Sequence, residues 1–337
     1  MPPSNQTLPT SPSRILLYMQ PHIGDAIVYT AVARWLRKRF PGSWIVGCTD
    51  GPAVAILKAC PQLDEVWKRP DSAITERLRF IKKLRGAQFD LGITTYANNS
   101  GILLMKLGKV RALAGVLGTK YRDWYVESVP KETEFDVALG PMGKLVTRLG
   151  CQTEDRSPSV VIPDDVSSEI DLLNLPGRFI VLHHGASHPR KKWAVDRFIE
   201  IASKAADHGL ATVWIGGKSE ASELESLNLP PNSVIVAGKT SALGSMEVIR
   251  RSQCLVTNDS GPMHMGAAVG TPMVALFGPT NPEICTPYGD QNILVVGKND
   301  QCHTNIDDCQ GKCWNSISVE EVWKGVEESI STVAFNK

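Results

Sequence analysis

With 337 residues, 42% of them hydrophobic and 21% charged, the chain has apolar material for two packed cores at about 100–200 residues per domain, which excludes a disordered polypeptide. Its net charge of +1 conceals a division: residues 1–150 hold 21 Lys and Arg against 12 Asp and Glu, and the remainder holds 15 against 23. No stretch of about 18 uncharged apolar residues occurs, which argues against a membrane-spanning helix, and the basic residues form no dense run, which argues against nucleic acid as a partner.

Residues 1–13 are rich in Pro, Ser and Thr and are expected to form a disordered tail. The opening MPPSNQTLPT lacks the basic start and apolar run of a signal peptide. Eight cysteines spread over a large chain without such a leader point to a reduced, cytoplasmic protein. Arg14–Met19 is a short apolar run of the kind that forms a buried parallel strand. The turn QPHIGD follows, and then apolar residues at helical spacing predict a helix over 26–39, with three basic residues in its last turn and Pro41-Gly42 beyond it. Strand patterns at 44–48, 65–68 and 89–95 alternate with helical ones at 52–59 and 75–84.

Between about 150 and 178 the pattern loosens, which places a linker there, with domains over 14–165 and 175–316. Strands at 179–183, 211–215, 234–237, 254–257 and 273–277 then alternate with helices at 195–208, 219–227, 245–251 and 261–269. A last helix spans 317–335, opening on a capping box of Ser318 with Glu321. Two such halves predict an α/β protein of two open parallel sheets, whose facing edges would make a cleft for a ligand.

Three loop segments carry candidate chemistry. In Gln20–Asp25, Gly24 permits a tight turn or close approach, and Asp25 at the helix start reads either as a simple N-cap or as a carboxylate aimed into the crevice. The segment is not GxGxxG, which counts against a nicotinamide enzyme. In His183–Trp193, small residues beside a basic cluster suit phosphate binding, with an ordinary exposed loop as the competing reading; its three histidines lack the helical spacing of a metal site. In Asn258–Ala268, Asp259 or Ser260 can cap a helix that Pro262 fits at its first turn. Its small residues and open N-terminus would seat a diphosphate, although a well-capped structural helix shares part of this signature.

These residues (IGD at 23–25, GASHPRKKW at 185–193 and NDSGPMHMGAAVGTPMVALFGPTNP at 258–282) resemble glycosyltransferase family 9, the ADP-heptose:lipopolysaccharide heptosyltransferases. The resemblance runs from Arg14 to about Ile330. It implies a GT-B fold of two Rossmann-like domains, the first binding the acceptor and the second the nucleotide sugar, with the last helix crossing back to the first. It further implies that Asp25 is the catalytic base, with His22 and Gly24 in the acceptor-side turn. Lys191, Ser187, Glu220, Asp259, Ser260, Gly261 and His264 would hold the donor, an ADP-sugar, with no cofactor required.

The expected reaction is therefore inverting transfer of a heptose to a sugar hydroxyl in lipopolysaccharide core assembly. Peripheral membrane contact through the basic first domain fits that acceptor. Alternatives are a family member that modifies a protein or small natural product, or a nucleotide-sugar-binding protein without turnover. Near the end, Cys302, Cys309 and Cys313 lie close together beside His303. Their spacing is not a standard zinc pattern, so buried free thiols are the expectation and a metal site the alternative.

Overall fold

The computed structural model describes residues 7–117, 120–129, 139–298 and 311–335. The chain divides into two units, Met1–Val161 and Ile162–Lys337.

The first unit runs β1 (Arg14–Tyr18), α1 (Ile23–Arg39), β2 (Trp44–Thr49), α2 (Ala53–Lys58), β3 (Glu65–Lys68), α3 (Ile74–Ala87), β4 (Leu91–Thr94), α4 (Asn99–Leu107), β5 (Ala112–Val116), β6 (Glu127–Val129) and α5 (Gly140–Thr147). Its strands form one parallel sheet in the order β3-β2-β1-β4-β5-β6. Because β1 pairs with β2 on one side and β4 on the other, the chain reverses its direction of travel across the sheet between β1 and β4. The loop after β1 therefore opens where a doubly wound sheet leaves its crevice.

The second unit opens with α6 (Asp164–Asp171) and continues β7 (Phe179–His183), α7 (Val195–Asp207), β8 (Ala211–Trp214), α8 (Lys218–Glu225), β9 (Ser233–Ile235), α9 (Ala242–Arg251), β10 (Leu255–Asn258), α10 (Gly261–Val269), β11 (Met273–Phe277), α11 (Pro282–Cys285), β12 (Asn292–Val296) and α12 (Val319–Phe335). Its sheet order, β12-β11-β10-β7-β8-β9, repeats the first topology, with the reversal between β7 and β10. Both sheets lie in the α/β class expected from the alternation.

Two segments differ from the sequence-based expectation. Pro12 and Ser13, placed in the tail, are pinned: Ser43 Oγ donates to the Pro12 carbonyl at 2.5 Å, and the Ser13 N–H donates to Asp90 at 2.9 Å. Part of the loosened stretch is helix α6, tied to α9 by Arg251, which reaches Asp171 at 2.6 Å and the Ser167 carbonyl at 2.9 Å. The same Arg251 and Arg250 surround the fully buried Glu247, so its carboxylate is paired on both oxygens. Helix α12 packs on α7, β11 and β12, sinking Val322 and Val326 into the core of the second unit.

Candidate active site

In the second unit, three loops meet at the carboxyl edge of the sheet, where β7, β10 and β8 end. Thr257 and His183 are register partners on adjacent strands, so the residues following them are neighbours. Asn258, fully buried, clamps the loops together. Its side-chain oxygen accepts from the Trp193 N–H at 3.1 Å, and its amide donates to the His184 carbonyl at 2.8 Å. The clamp holds the 184–193 loop against the start of α10, and it places Lys191 Nζ 2.6 Å from the Asp259 carboxylate. Asp259 is only 5% exposed, so this ion pair is drawn largely out of water.

Ser260 occupies the cap position of α10 but makes no side-chain bond to the helix N-terminus. Its hydroxyl donates instead to the Asn258 carbonyl at 3.0 Å and lies 3.3 Å from His183 Nδ1. The first turn, with Pro262 in it, is thus left without a side-chain cap, and its partial positive charge stands beside Lys191. Gly261 and His264, both half-buried, belong to this turn.

Glu220 approaches from the β8 side. Its carboxylate accepts from the Gly217 N–H and the Ser219 hydroxyl, each at 3.0 Å, which is the glutamate half of a capping box on α8. A Cβ placed on Gly185 would lie 2.5 Å from this carboxylate and 3.0 Å from His183 Nε2, so only glycine permits the approach. Burial alone would raise the Glu220 pKa, but hydrogen bonds from the backbone and Ser219, together with nearby His183, hold it below its ordinary value. Burial drives His183 down to about 4 against the pull of Glu220, so its ring is neutral at physiological pH.

A second support comes from the segment after β12. Trp314 donates its ring N–H to the Arg190 carbonyl at 2.8 Å, bracing the turn that carries Lys191.

In the first unit, Asp25 is not the cap of α1: that position is His22, and Asp25 is the third helical residue. Gly24 precedes it with an ordinary helical backbone. The Asp25 carboxylate lies 3.2 Å from His22 Nδ1, with about a third of its side chain exposed. One turn on, the Tyr29 hydroxyl donates to the Thr95 carbonyl at 3.1 Å and ties α1 to the end of β4. Burial and the neighbouring Asp25 charge both raise the Tyr29 pKa.

Beyond β2 and β3 opens a cavity of about 300 Å3 lined by Lys68, Arg69, Arg79 and Lys83 and by the carboxylates Asp50, Asp71 and Glu76. Arg69 donates to the Tyr18 hydroxyl at 3.2 Å, with its guanidinium 5.1 Å from the ring centre.

The glycosyltransferase family 9 (heptosyltransferase) profile matches residues 77–315, well over half of the chain. The chain belongs to glycosyltransferase family 9. Lipopolysaccharide heptosyltransferase 2 of Salmonella typhimurium is 31% identical over 313 residues, covering 84% of this chain and 87% of that protein. Lipooligosaccharide heptosyltransferase 2 of Haemophilus influenzae is 32% identical over 113 residues, a match that covers 32% of this chain and spans a third of that protein's length. Among solved structures, a family 9 glycosyltransferase from Veillonella parvula superposes with a TM-score of 0.87 at 22% identity, covering 97% of this chain and all of that one. The ADP-heptose lipopolysaccharide heptosyltransferase II of Escherichia coli gives 0.79 at 19% identity, covering 95% and 99%. These likenesses agree with the expected GT-B class.

This family 9 glycosyltransferase thus has Lys191, Asp259, Ser260, Gly261 and Glu220 gathered in the second unit, with His264 in the same helical turn. Ser187 is exposed on the loop between them. His22, Gly24 and Asp25 stand at the corresponding edge of the first unit. Residues Cys302, His303 and Cys309 lie outside the described residues. Cys313 is buried, and among the described residues no cluster of metal-ligating side chains is present. His183, Asn258 and Trp314 were not singled out as site residues. Asn258 had a legible signal in preceding Asp259 at a strand end, whereas Trp314 had none, being 124 residues from its partner.

Proposed function

We propose that this chain transfers a heptosyl group from ADP-heptose to a sugar hydroxyl of the lipopolysaccharide core, working in the cytoplasm. The observation that carries this reading is the 2.6 Å pairing of Lys191 with Asp259 beside the uncapped start of α10. Lys191 and the first turn of α10 supply positive charge for a diphosphate, and Asp259 positions the lysine. Glu220, in the first turn of α8 after the strand next to β7, is the acidic side chain that would take the ribose hydroxyls, as one does in such sheets. The names of the relatives and of the Escherichia coli structure support heptose as the sugar and lipopolysaccharide as the acceptor.

In the proposed step, Asp25 accepts the acceptor hydroxyl proton as that oxygen attacks the anomeric carbon. The bond from this carbon to the diphosphate oxygen breaks, and ADP leaves with the electron pair. Lys191 and the α10 N-terminus stabilise the charge that develops on it. Attack opposite the leaving group inverts the anomeric centre. Positive charge at the leaving group comes from the protein, so the reading calls on no metal ion.

The test is incubation with ADP-heptose and a deacylated core oligosaccharide, followed by mass analysis of the products. The expected product gains one heptose with release of ADP, at a rate that a chelator leaves unchanged. ADP binding without transfer to any acceptor would reject the enzymatic reading in favour of a binding protein. Transfer only to a protein or small natural product would reject the lipopolysaccharide assignment.

A further inference from the structure

We propose that the face of the first unit formed by α3 and α4 docks on an anionic phospholipid bilayer. The proposal deepens the reading above, because it rests on the acceptor being carried by a lipid.

Helix α3 turns Phe80, Ile81 and Leu84 inward, which meets its need for a buried stripe. Yet Ile74 and Leu78, one turn apart on another side of the helix, are 74% and 59% exposed. Leu107 at the end of α4, which packs beside α3, is 44% exposed, and Arg85 donates to its carbonyl at 3.0 Å. Half of the six large hydrophobic side chains that stand exposed among the described residues therefore belong to this one pair of helices.

The charge around them is one-sided. Helix α3 carries Arg77, Arg79, Lys82, Lys83 and Arg85 against the single carboxylate Glu76; Arg79 pairs with Glu76 and Lys83 lies over Trp67 at the cavity described above, which leaves Arg77, Lys82 and Arg85 for this face. A solvated helix would interleave acidic residues at helical spacing with its basic ones. Exposed Ile and Leu within a field of Lys and Arg match a helix lying in the headgroup layer, with apolar side chains in the acyl boundary and cations on lipid phosphates. An anionic protein or a nucleic acid would use the cations but leave the apolar pair without a role. A second copy of this face would bring like charges together.

The test is flotation of the full chain with vesicles of phosphatidylcholine, with or without phosphatidylglycerol, in low and high salt. The expected result is partition into the anionic vesicles alone, falling with salt. Lys82→Glu combined with Arg85→Glu should lower partition about tenfold or more, since each cation near such a surface contributes several-fold. Ile74→Ser combined with Leu78→Ser should lower it about tenfold, through lost apolar burial. Lys58→Glu on α2, which packs with α1 on the opposite face of the sheet, should leave it unchanged. All five side chains are exposed, and a circular dichroism spectrum and thermal unfolding curve equal to those of the unaltered chain check that each variant is folded.

No partition into anionic vesicles, equal partition into neutral ones, or insensitivity to the α3 substitutions would overturn the proposal. So would a dimer of the unaltered chain that Ile74→Ser with Leu78→Ser converts to monomer without change in vesicle binding. The vesicles contain neither donor nor acceptor, so a failure of heptosyl transfer leaves this measurement standing, and the reverse holds too.

Discussion

Lys191 and Asp259 form the kind of pair whose two members do different work. Lys191 is the cation a leaving diphosphate needs, and Asp259 positions it through a 2.6 Å ion pair. Lys191→Ala should weaken ADP binding by one to two orders of magnitude in calorimetry, as expected for a charge-assisted phosphate contact. It should also leave a nearly buried carboxylate unpaired, at a cost of about 1–3 kcal/mol. That is below the figure for a fully buried pair because a fifth of the Lys191 side chain meets solvent. Adding Asp259→Asn should restore the stability but not the affinity, which separates the two roles. Asp25→Asn should lower turnover by about 100-fold or more with ADP affinity unchanged, as loss of a general base would; wild-type turnover would reject the assignment. His183 gives a pH signature. Its folded pKa, about 4, lies below the unfolded value, so the unfolded chain binds the extra proton and stability falls as pH drops from about 6.5 towards 4. Between pH 7 and 5 the unaltered protein should lose about 2 kcal/mol more than His183→Gln in denaturant titrations.

At the scale of elements, the donor-side loop owes its position to contacts from outside its own strand and helix. Asn258 fastens it from β10, and Trp314 fastens it from the short 3-10 turn Lys312–Ser316. Trp314 in turn rests on Gly278, where an added Cβ would lie 2.3 Å from the indole. Gly278→Ala should therefore displace the ring and loosen the Arg190–Lys191 turn, raising the KM for donor several-fold with a smaller change in kcat. Trp314→Phe should keep the packing, lose the bond to the Arg190 carbonyl, and cost about 1 kcal/mol in thermal unfolding. Much of the element pattern was legible beforehand: 179–183, 261–269 and 273–277 agree residue for residue with β7, α10 and β11. Helix α1 begins three residues earlier than its apolar spacing suggests, because Gly24 and Asp25 form a polar first turn. The elements between 96 and 150 give weaker signals, because the apolar run of α4 continues past its buried face to the exposed Leu107 and β5 is built on Ala and Gly, so neither has a clean period.

For the whole molecule, two sheets of the same topology mean that each unit carries its own crevice edge, one acidic and partly exposed at Asp25, the other cationic at Lys191 and α10. ADP added to the full chain should slow amide hydrogen exchange at 183–193, 216–220 and 259–264. At about 100 times its dissociation constant it should stabilise the protein by about 2.7 kcal/mol. Protection confined to the first unit would place the nucleotide elsewhere. The division of charge between the halves has a local expression in the first unit, where the cavity below Arg69 and the α3 surface collect many of the basic side chains.

What the amino-acid order determined by itself was local: apolar runs of strand length, helix starts with Pro and small residues, and loops rich in polar groups at strand ends. These signals depend on neighbours within a few residues, so they survive without knowledge of the fold. Which loops meet was decided only by tertiary structure. Lys191 reaches Asp259 across 68 positions, and Arg69 reaches Tyr18 across 51, because parallel pairing and the reversal of strand order bring those strand ends together. No periodicity along a chain encodes that order, since it emerges from how the layers pack.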